Sequence, residues 1–355
     1  MATPGSSGNW TDAMGAIAHR RPAARAVLVD IILASLLVTI AAASLVAGSV
    51  DIAPSDIVSL LAAGPDTSTA SRILWDIRLP RIVVAILLGG ALSLSGFLLQ
   101  TFFANPIADP FVLGISSGAR LTVAIVMIAV LGSSRIMTPA MSVGAAFLGS
   151  LMTMGFVLII ARRVRSVSIL IVAGVMVGYI CSAATSFLIA FADEQDIVNL
   201  QNWSQGSFAG SSWTDAAFLA VFVTAATISV FALSKPLGAY QLGEAYARTV
   251  GVNIVALRLY IVMVSSLLSA CVVAFAGPIS FVGIAAPHLA KIAVRTSKPL
   301  HVTPACFLCG AVFCCGCDLV ARLLFSPVEL SVSAVTAVVG APIVISLLLT
   351  RRGGR

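Results

Sequence analysis

Apolar stretches of membrane-crossing length recur from one end of this 355-residue chain to the other, and no other feature narrows the fold as much. A helix needs about 20 consecutive apolar residues to traverse roughly 30 Å of hydrocarbon. Runs of that order occupy residues 27–47, 80–100, 111–131, 139–161, 168–191, 213–233, 255–275, 279–295, 304–325 and 332–350. Only 10% of the residues are charged, against about 25% in soluble domains. No polar block of about 100 residues remains to build a soluble domain. The expectation is therefore an all-α integral membrane protein with ten transmembrane helices in one domain, residues 27–355. A Gly/Ser/Ala-rich segment, 1–26, reads as a disordered cytoplasmic tail. The run at 279–295 is short and flanked by Gly277-Pro278 and Pro287, so a broken or partly inserted helix is expected there.

The first run exceeds the 7–15 residues of a signal-peptide core and reads as a retained helix. Orientation follows from the Lys and Arg residues between runs. With the N-terminus in the cytoplasm, sixteen of these cations share its side, Arg120 among them. Five lie opposite: Arg72, Arg78, Arg81, Arg135 and Arg322. Both termini are expected in the cytoplasm. The net charge of +7 is explained by this placement at run ends; nucleic-acid binding needs a clustered basic face on a soluble surface.

Five of the seven cysteines crowd the ninth run (Cys306, Cys309, Cys314, Cys315 and Cys317). Structural metal sites have satisfied, polar second shells, whereas this run is apolar and helix-length. Packing as small hydrophobes is the expectation, and no metal or cofactor is assigned to the chain.

Arg78, Arg81 and Arg322 stand on the side that the positive-inside rule disfavours. They either snorkel to headgroups and pair with nearby acids, or they form a basic docking patch for an acidic partner. The residues alone leave both readings open.

An ordered string of motifs then carries a resemblance. "RLPR" (78–81), "GGALSLSG" (89–96), Gln100, "NPIADP" (105–110) and "LGISSGA" (113–119) are followed by "LGEAYARTVGV" (242–252) and "GPISFVGIAAPHLAK" (277–291). "DLVAR" (318–322) and "ELSVSAVTAVVGAP" (329–342) complete it. The chain resembles the permease subunits of the ABC importers, of the type II fold, that take up ferric siderophores, haem or cobalamin. That resemblance implies ten helices per subunit and a second permease subunit, a homodimer being favoured. It also implies two cytoplasmic ATPase subunits that bind ATP and magnesium, a substrate-binding protein outside, and residence in the bacterial inner membrane. By the resemblance, Arg78, Arg81 and Arg322 would dock the binding protein, where charge pairs steer encounter and register.

Asp318, four residues before Arg322 on one helical face, is placed to hold that side chain. The segment containing Leu242, Gly243, Glu244, Ala245, Arg248 and Gly251 would couple the chain to the ATPase. Glu244 and Arg248 form an i,i+4 pair in the favoured order. Asn105 and Pro106 should turn the chain. Gly114 with Gly118, and Gly174 with Gly178, are small-xxx-small pairs for close helix packing. The similarity of 109–119 to 277–287 hints at an inverted internal repeat. Ser331 and Ser333 stand where the family often has Pro and Gly, and Lys291 where Arg is common.

No G-x-x-x-x-G-K-[ST] phosphate loop occurs, so ATP hydrolysis by that chemistry belongs to another subunit. The three histidines, His19, His288 and His301, form no helical pair within a run. The competing reading is an ion-driven secondary transporter. Such proteins place ionisable groups near the bilayer midplane, whereas charges here sit at run ends.

Overall fold

The computed structural model describes residues 8–48, 50, 52–131, 138–163, 167–326 and 328–352. Arg135, Arg165 and the first seven residues of the expected tail lie outside them. Among the described residues there is no strand. In chain order the helices are α1 (Gly8–Val46), α2 (Pro54–Ala63), α3 (Thr69–Arg72), α4 (Leu79–Phe102), α5 (Ile115–Ala124), α6 (Pro139–Arg163), α7 (Val167–Ile189) and α8 (Glu194–Ser204). They continue as α9 (Trp213–Ala232), α10 (Ser234–Gln241), α11 (Glu244–Thr249), α12 (Ile254–Ala276), α13 (Val282–Val294), α14 (Pro299–Leu323) and α15 (Val332–Arg352).

Among the described residues, seven helices are long and apolar enough to cross a membrane: Ala23–Val46, Thr69–Phe102, Ala140–Ile160, Ile169–Ile189, Trp213–Ala232, Ile254–Ala276 and Pro299–Leu323. The other three apolar runs fall on shorter helices, Ile115–Ile128, Val282–Val294 and Val332–Ser346. Residues 8–26 of the stretch read as a tail are included in α1. "AMGAIA" and "PAARAV" in that stretch are rich in Ala, the strongest helix former, and run directly into the first apolar span.

Burial is graded from the centre outward. The most apolar windows of α4, α12 and α14 are 83%, 72% and 61% buried, against 6% for α1 and 17% for α7. In lipid, apolar residues gain little by leaving the bilayer, so close backbone approach decides which helices become central. Gly96 and Gly89 provide that approach on α4. A Cβ at Gly96 would stand 1.8 Å from the Gly283 carbonyl oxygen of α13, and one at Gly89 2.5 Å from the Gly310 oxygen of α14. Buried hydroxyls are satisfied within the same core. Ser93 donates to the Cys306 carbonyl at 2.6 Å, and Ser95 to the Ser265 carbonyl at 2.7 Å.

α3 and α4 form one continuous helix with a π-turn, Ile73–Arg78, between them. Pro80, in the first turn of α4, explains the widening. A proline ring clashes with the carbonyl four residues back and removes one ladder donor, and the wider turn accommodates both effects.

α13 is a 13-residue helix entered through Phe281 at φ 66°, the short element expected there. The segment resembling it, 109–119, also enters its helix through a left-handed residue, Gly114 at φ 76°. The two segments meet: a Cβ on Gly283 would sit 3.0 Å from Pro110 Cδ.

One end of the bundle gathers α2, the π-turn, α8 and the α12–α13 and α14–α15 turns. Trp213 Nε1 donates to the Trp75 carbonyl at 2.7 Å, Ser207 N to the Ala276 carbonyl at 2.8 Å, and Val332 N to the Gly206 carbonyl at 3.2 Å. α10, α11, the start of α12 and the end of α13 mark the opposite end.

Candidate functional site

Two charged constellations occupy these two ends. At the first, Asp318 lies between two guanidinium groups. Arg81 Nη2 is 2.9 Å from Asp318 Oδ1, and Arg322 Nε is 3.3 Å from Asp318 Oδ2. Arg81 also pairs with Glu329 through Nη1 at 3.1 Å. The charges of α4 and α14 are thereby tied to the loop before α15. Arg78 turns to the end of α1, donating to the carbonyls of Leu45, Val46 and Val50. Helix C-termini carry unpaired carbonyls and negative partial charge, which a guanidinium satisfies.

Arg78, Arg81 and Arg322 are 4%, 6% and 8% exposed, so within this chain their guanidinium groups are turned to internal partners. An apolar environment leaves an unpaired guanidinium costly, so each is drawn to the nearest carboxylate or helix end. The exposed charges at this end are mostly acidic: Asp56, Asp66, Asp76, Asp193, Glu194 and Glu329, with Arg72 beside Asp76. Hydrogen bonds from Ser68 hold the Asp66 carboxyl below its usual range. The role expected for Asp318, holding Arg322, is what the geometry shows. Glu329 was read only as part of a motif; its signal is that it is one of 14 acids in the whole chain, standing just before a helix.

At the other end, α11 is set off by Gly243 at φ 119° and Gly251 at φ 84°, backbone that favours glycine. Glu244 is clamped on both oxygens, by Arg248 Nη2 at 2.7 Å and Arg258 Nη2 at 2.7 Å. The Arg248 hydrogen bond is the largest influence holding its carboxyl below the usual range, with Arg258 adding to it. The i,i+4 pair is as expected. Arg258, fourteen residues on in α12, is invisible to helical spacing because a turn separates the partners. Ala247 is buried beneath α11, while Leu242, Tyr246 and Val250 are 71%, 49% and 52% exposed. These three are exposed apolar side chains on and beside an otherwise polar element, Leu242 ending α10 and Val250 following α11, and Ala245 lies within α11.

α10 joins this segment to the central helix: Gln241 Nε2 is 3.3 Å from Thr101 Oγ1, and Tyr240 Oη 3.5 Å from the Phe102 carbonyl. A cavity of about 530 Å³ opens beside the joint, with Gln100, Gln241, Glu244, Arg258 and Lys291 in its wall. Lys291 Nζ reaches Gln100 Oε1 at 3.1 Å. Helix α4 is thus held by ionic contacts at one end and by the α10–α11 unit at the other.

The remaining predicted residues have local roles. Asn105 Oδ1 accepts from Ile107 N at 3.1 Å, an Asx-turn leading through Pro106 out of α4. The glycine pairs meet each other: a Cβ at Gly114 would stand 2.9 Å from the Gly174 oxygen and 3.0 Å from Gly178 N, seating α5 on α7. Gly118 abuts Thr153 and Gly149 of α6. The five cysteines of α14 are buried in the main apolar core.

This architecture is that of a polytopic helical membrane protein. The model of the FecCD transport family matches residues 36–350, and the chain belongs to that family. It is 37% identical over 281 residues to the vitamin B12 import system permease protein BtuC of Klebsiella pneumoniae, covering 79% of this chain and 83% of the relative. It is 36% identical over 317 residues to the BtuC of Salmonella typhi, covering 89% and 93%. Among solved structures, a metal-chelate type ABC transporter in an inward-facing conformation matches with a TM-score of 0.79 and 29% identity, over 90% of this chain and 98% of that one. The chain is accordingly a permease of the ABC transporter type.

Proposed function

We propose that this chain is the membrane subunit of an ATP-driven importer carrying a metal chelate inward, a ferric siderophore first, with haem and cobalamin as alternatives. Two copies enclose the pathway, each with ten membrane-inserted helices and both termini cytoplasmic. ATP and magnesium bind on separate ATPase subunits. The observation that carries this reading is the braced α11. Leu242, Tyr246 and Val250, on and beside it, are exposed apolar side chains, while Glu244 ties α11 to α12 and α10 bonds to the end of α4. A push on α11 therefore reaches the most buried helix of the bundle.

The exposed charges support the orientation: Lys235, Arg248, Arg295 and Lys298 mark the α11 end, and acids the other, as the positive-inside tendency requires. The binding protein meets the acidic end, and Arg78, Arg81 and Arg322 brace that surface from within. The test is reconstitution of the chain in vesicles with its ATPase and binding protein. Uptake of radiolabelled chelate requiring all components and ATP is expected. Ion-driven uptake by this chain alone would overturn the proposal.

A further inference from the structure

A second cavity, of about 230 Å³, lies between α5, α7 and α8. Its wall carries the hydroxyls of Ser116 and Ser117 from α5 and of Ser182, Thr185 and Ser186 from α7, together with Arg120. Ser204 and Pro278 close it from the end of the bundle that holds the Arg81 cluster. The count of cations along the sequence had assigned Arg120 to the cytoplasmic set, so its neighbours here were not foreseen.

Two polar side chains of the wall are committed within their own helices, Thr185 to the Cys181 carbonyl and Ser204 to the Leu200 carbonyl at 2.7 Å; the others are not. The Arg120 Nε atom is buried and lacks a hydrogen-bond partner among the described residues. The hydroxyls of Ser116, Ser117, Ser182 and Ser186 likewise have no protein acceptor or donor among those residues. No carboxylate, imidazole or thiol lines the wall. The contrast with the 530 Å³ cavity is direct: its cations already contact Glu244 and Gln100. A guanidinium N–H withdrawn from water and left unpaired is costly, and guanidinium is the group best shaped for carboxylate and phosphate oxygens. The donor set excludes a bare metal cation, which needs anionic or imidazole ligands. The volume is below the range of sites that enclose a whole drug-sized ligand, so one small head group fits rather than an entire chelate.

We propose that Arg120 and the hydroxyls of Ser116, Ser117, Ser182 and Ser186 form a binding site for a single oxyanion, the carboxylate of a passing cargo or a phosphate. A cargo carboxylate is the source that the importer reading adds; the site itself does not depend on that reading. The guanidinium supplies the charge, and the four hydroxyls complete the shell around the remaining lone pairs.

Equilibrium dialysis of the purified full-length chain, in phosphate-free maltoside, against radiolabelled phosphate and sulfate tests the site. Saturable binding of one anion per chain is expected, weakened about tenfold or more in Arg120→Gln and partly retained in Arg120→Lys. Ser117→Ala with Ser182→Ala, which keeps the charge, should weaken it by a smaller factor. Absence of saturable binding, or equal binding by Arg120→Gln, overturns the proposal. Native mass spectrometry separates the sources: a bound anionic phospholipid released by Arg120→Gln assigns a lipid phosphate. In vesicles bearing the complete transporter, a carboxylate-bearing chelate that loses about tenfold in uptake while its methyl ester does not assigns the cargo. Should no chelate be transported while dialysis still shows binding, the importer reading fails and the oxyanion site stands.

Discussion

The two ends of the bundle use the same ion-pair chemistry to opposite effect. Around Asp318 the charges are buried, shared and internal; around Glu244 they are partly solvated and hold a small helix outward. Side chains of Arg81 and Asp318 are 8% and 3% exposed, against 67% for Arg248 and 34% for Glu244. A buried pair contributes little net stability compared with an apolar substitute, yet loss of one partner strands the other. A partly exposed pair contributes at most about 1 kcal/mol either way. The first arrangement therefore sets the geometry of a rim, and the second holds out a surface that the proposed ATPase partner would engage.

Replacing Asp318 should break this comparison most visibly. Asp318→Asn leaves two buried guanidinium groups without their shared charge and should cost about 3–5 kcal/mol. Heating the detergent-solubilised protein with a thiol-reactive dye reads this, because Cys306 and Cys314 are buried until the bundle opens. A joint change of Arg81, Asp318 and Arg322 to apolar residues should recover most of the loss. A single Asn variant as stable as the parent would refute the shared-charge account.

Arg78→Gln should have the next largest effect, about 1.5–3 kcal/mol from charged hydrogen bonds. The loss should be concentrated where α1 ends. Faster deuterium uptake over residues 43–48 with the rest unchanged is expected; uniform uptake across the bundle would contradict the latch.

Glu244→Gln should alter stability by less than about 1 kcal/mol, since both exposures discount the charge interaction. Its cost should appear in ATP-driven uptake by the assembled transporter. A large fall in thermal stability with normal uptake would reverse the contrast between the ends.

The smallest effect is in pH. The folded Glu244 carboxyl is lowered from 4.5, first by the Arg248 hydrogen bond, so the contribution of its ion pairs is present above the unfolded value. It is lost as pH falls through the depressed folded value. Deuterium uptake corrected for intrinsic exchange should stay flat over 243–251 from neutral pH to about 4.5 and rise only below it. A rise near pH 6 would mean that the carboxyl is not held by its arginines.

Much of this was legible before any coordinates. Each apolar run falls on a helix, because hydrophobic length and Gly/Pro punctuation are local properties. The Glu244–Arg248 and Asp318–Arg322 pairs were legible because four residues make one helical turn. Arg81–Glu329 and Glu244–Arg258 were not, since 248 and 14 residues separate the partners. The burial of Arg78 was hidden for the same reason: its acceptors belong to a helix that ends about thirty residues earlier.

By itself the amino-acid order determined the solvent, the helical class, the family motifs and which glycines could permit close packing. Tertiary structure alone decided which charges face each other, which helices are central, and that Arg120 shares a cavity with five serines. The division has one physical origin. Helix formation in a membrane answers to backbone hydrogen bonds satisfied within a few residues, whereas the cost of a buried charge depends on whatever distant segment the fold brings beside it.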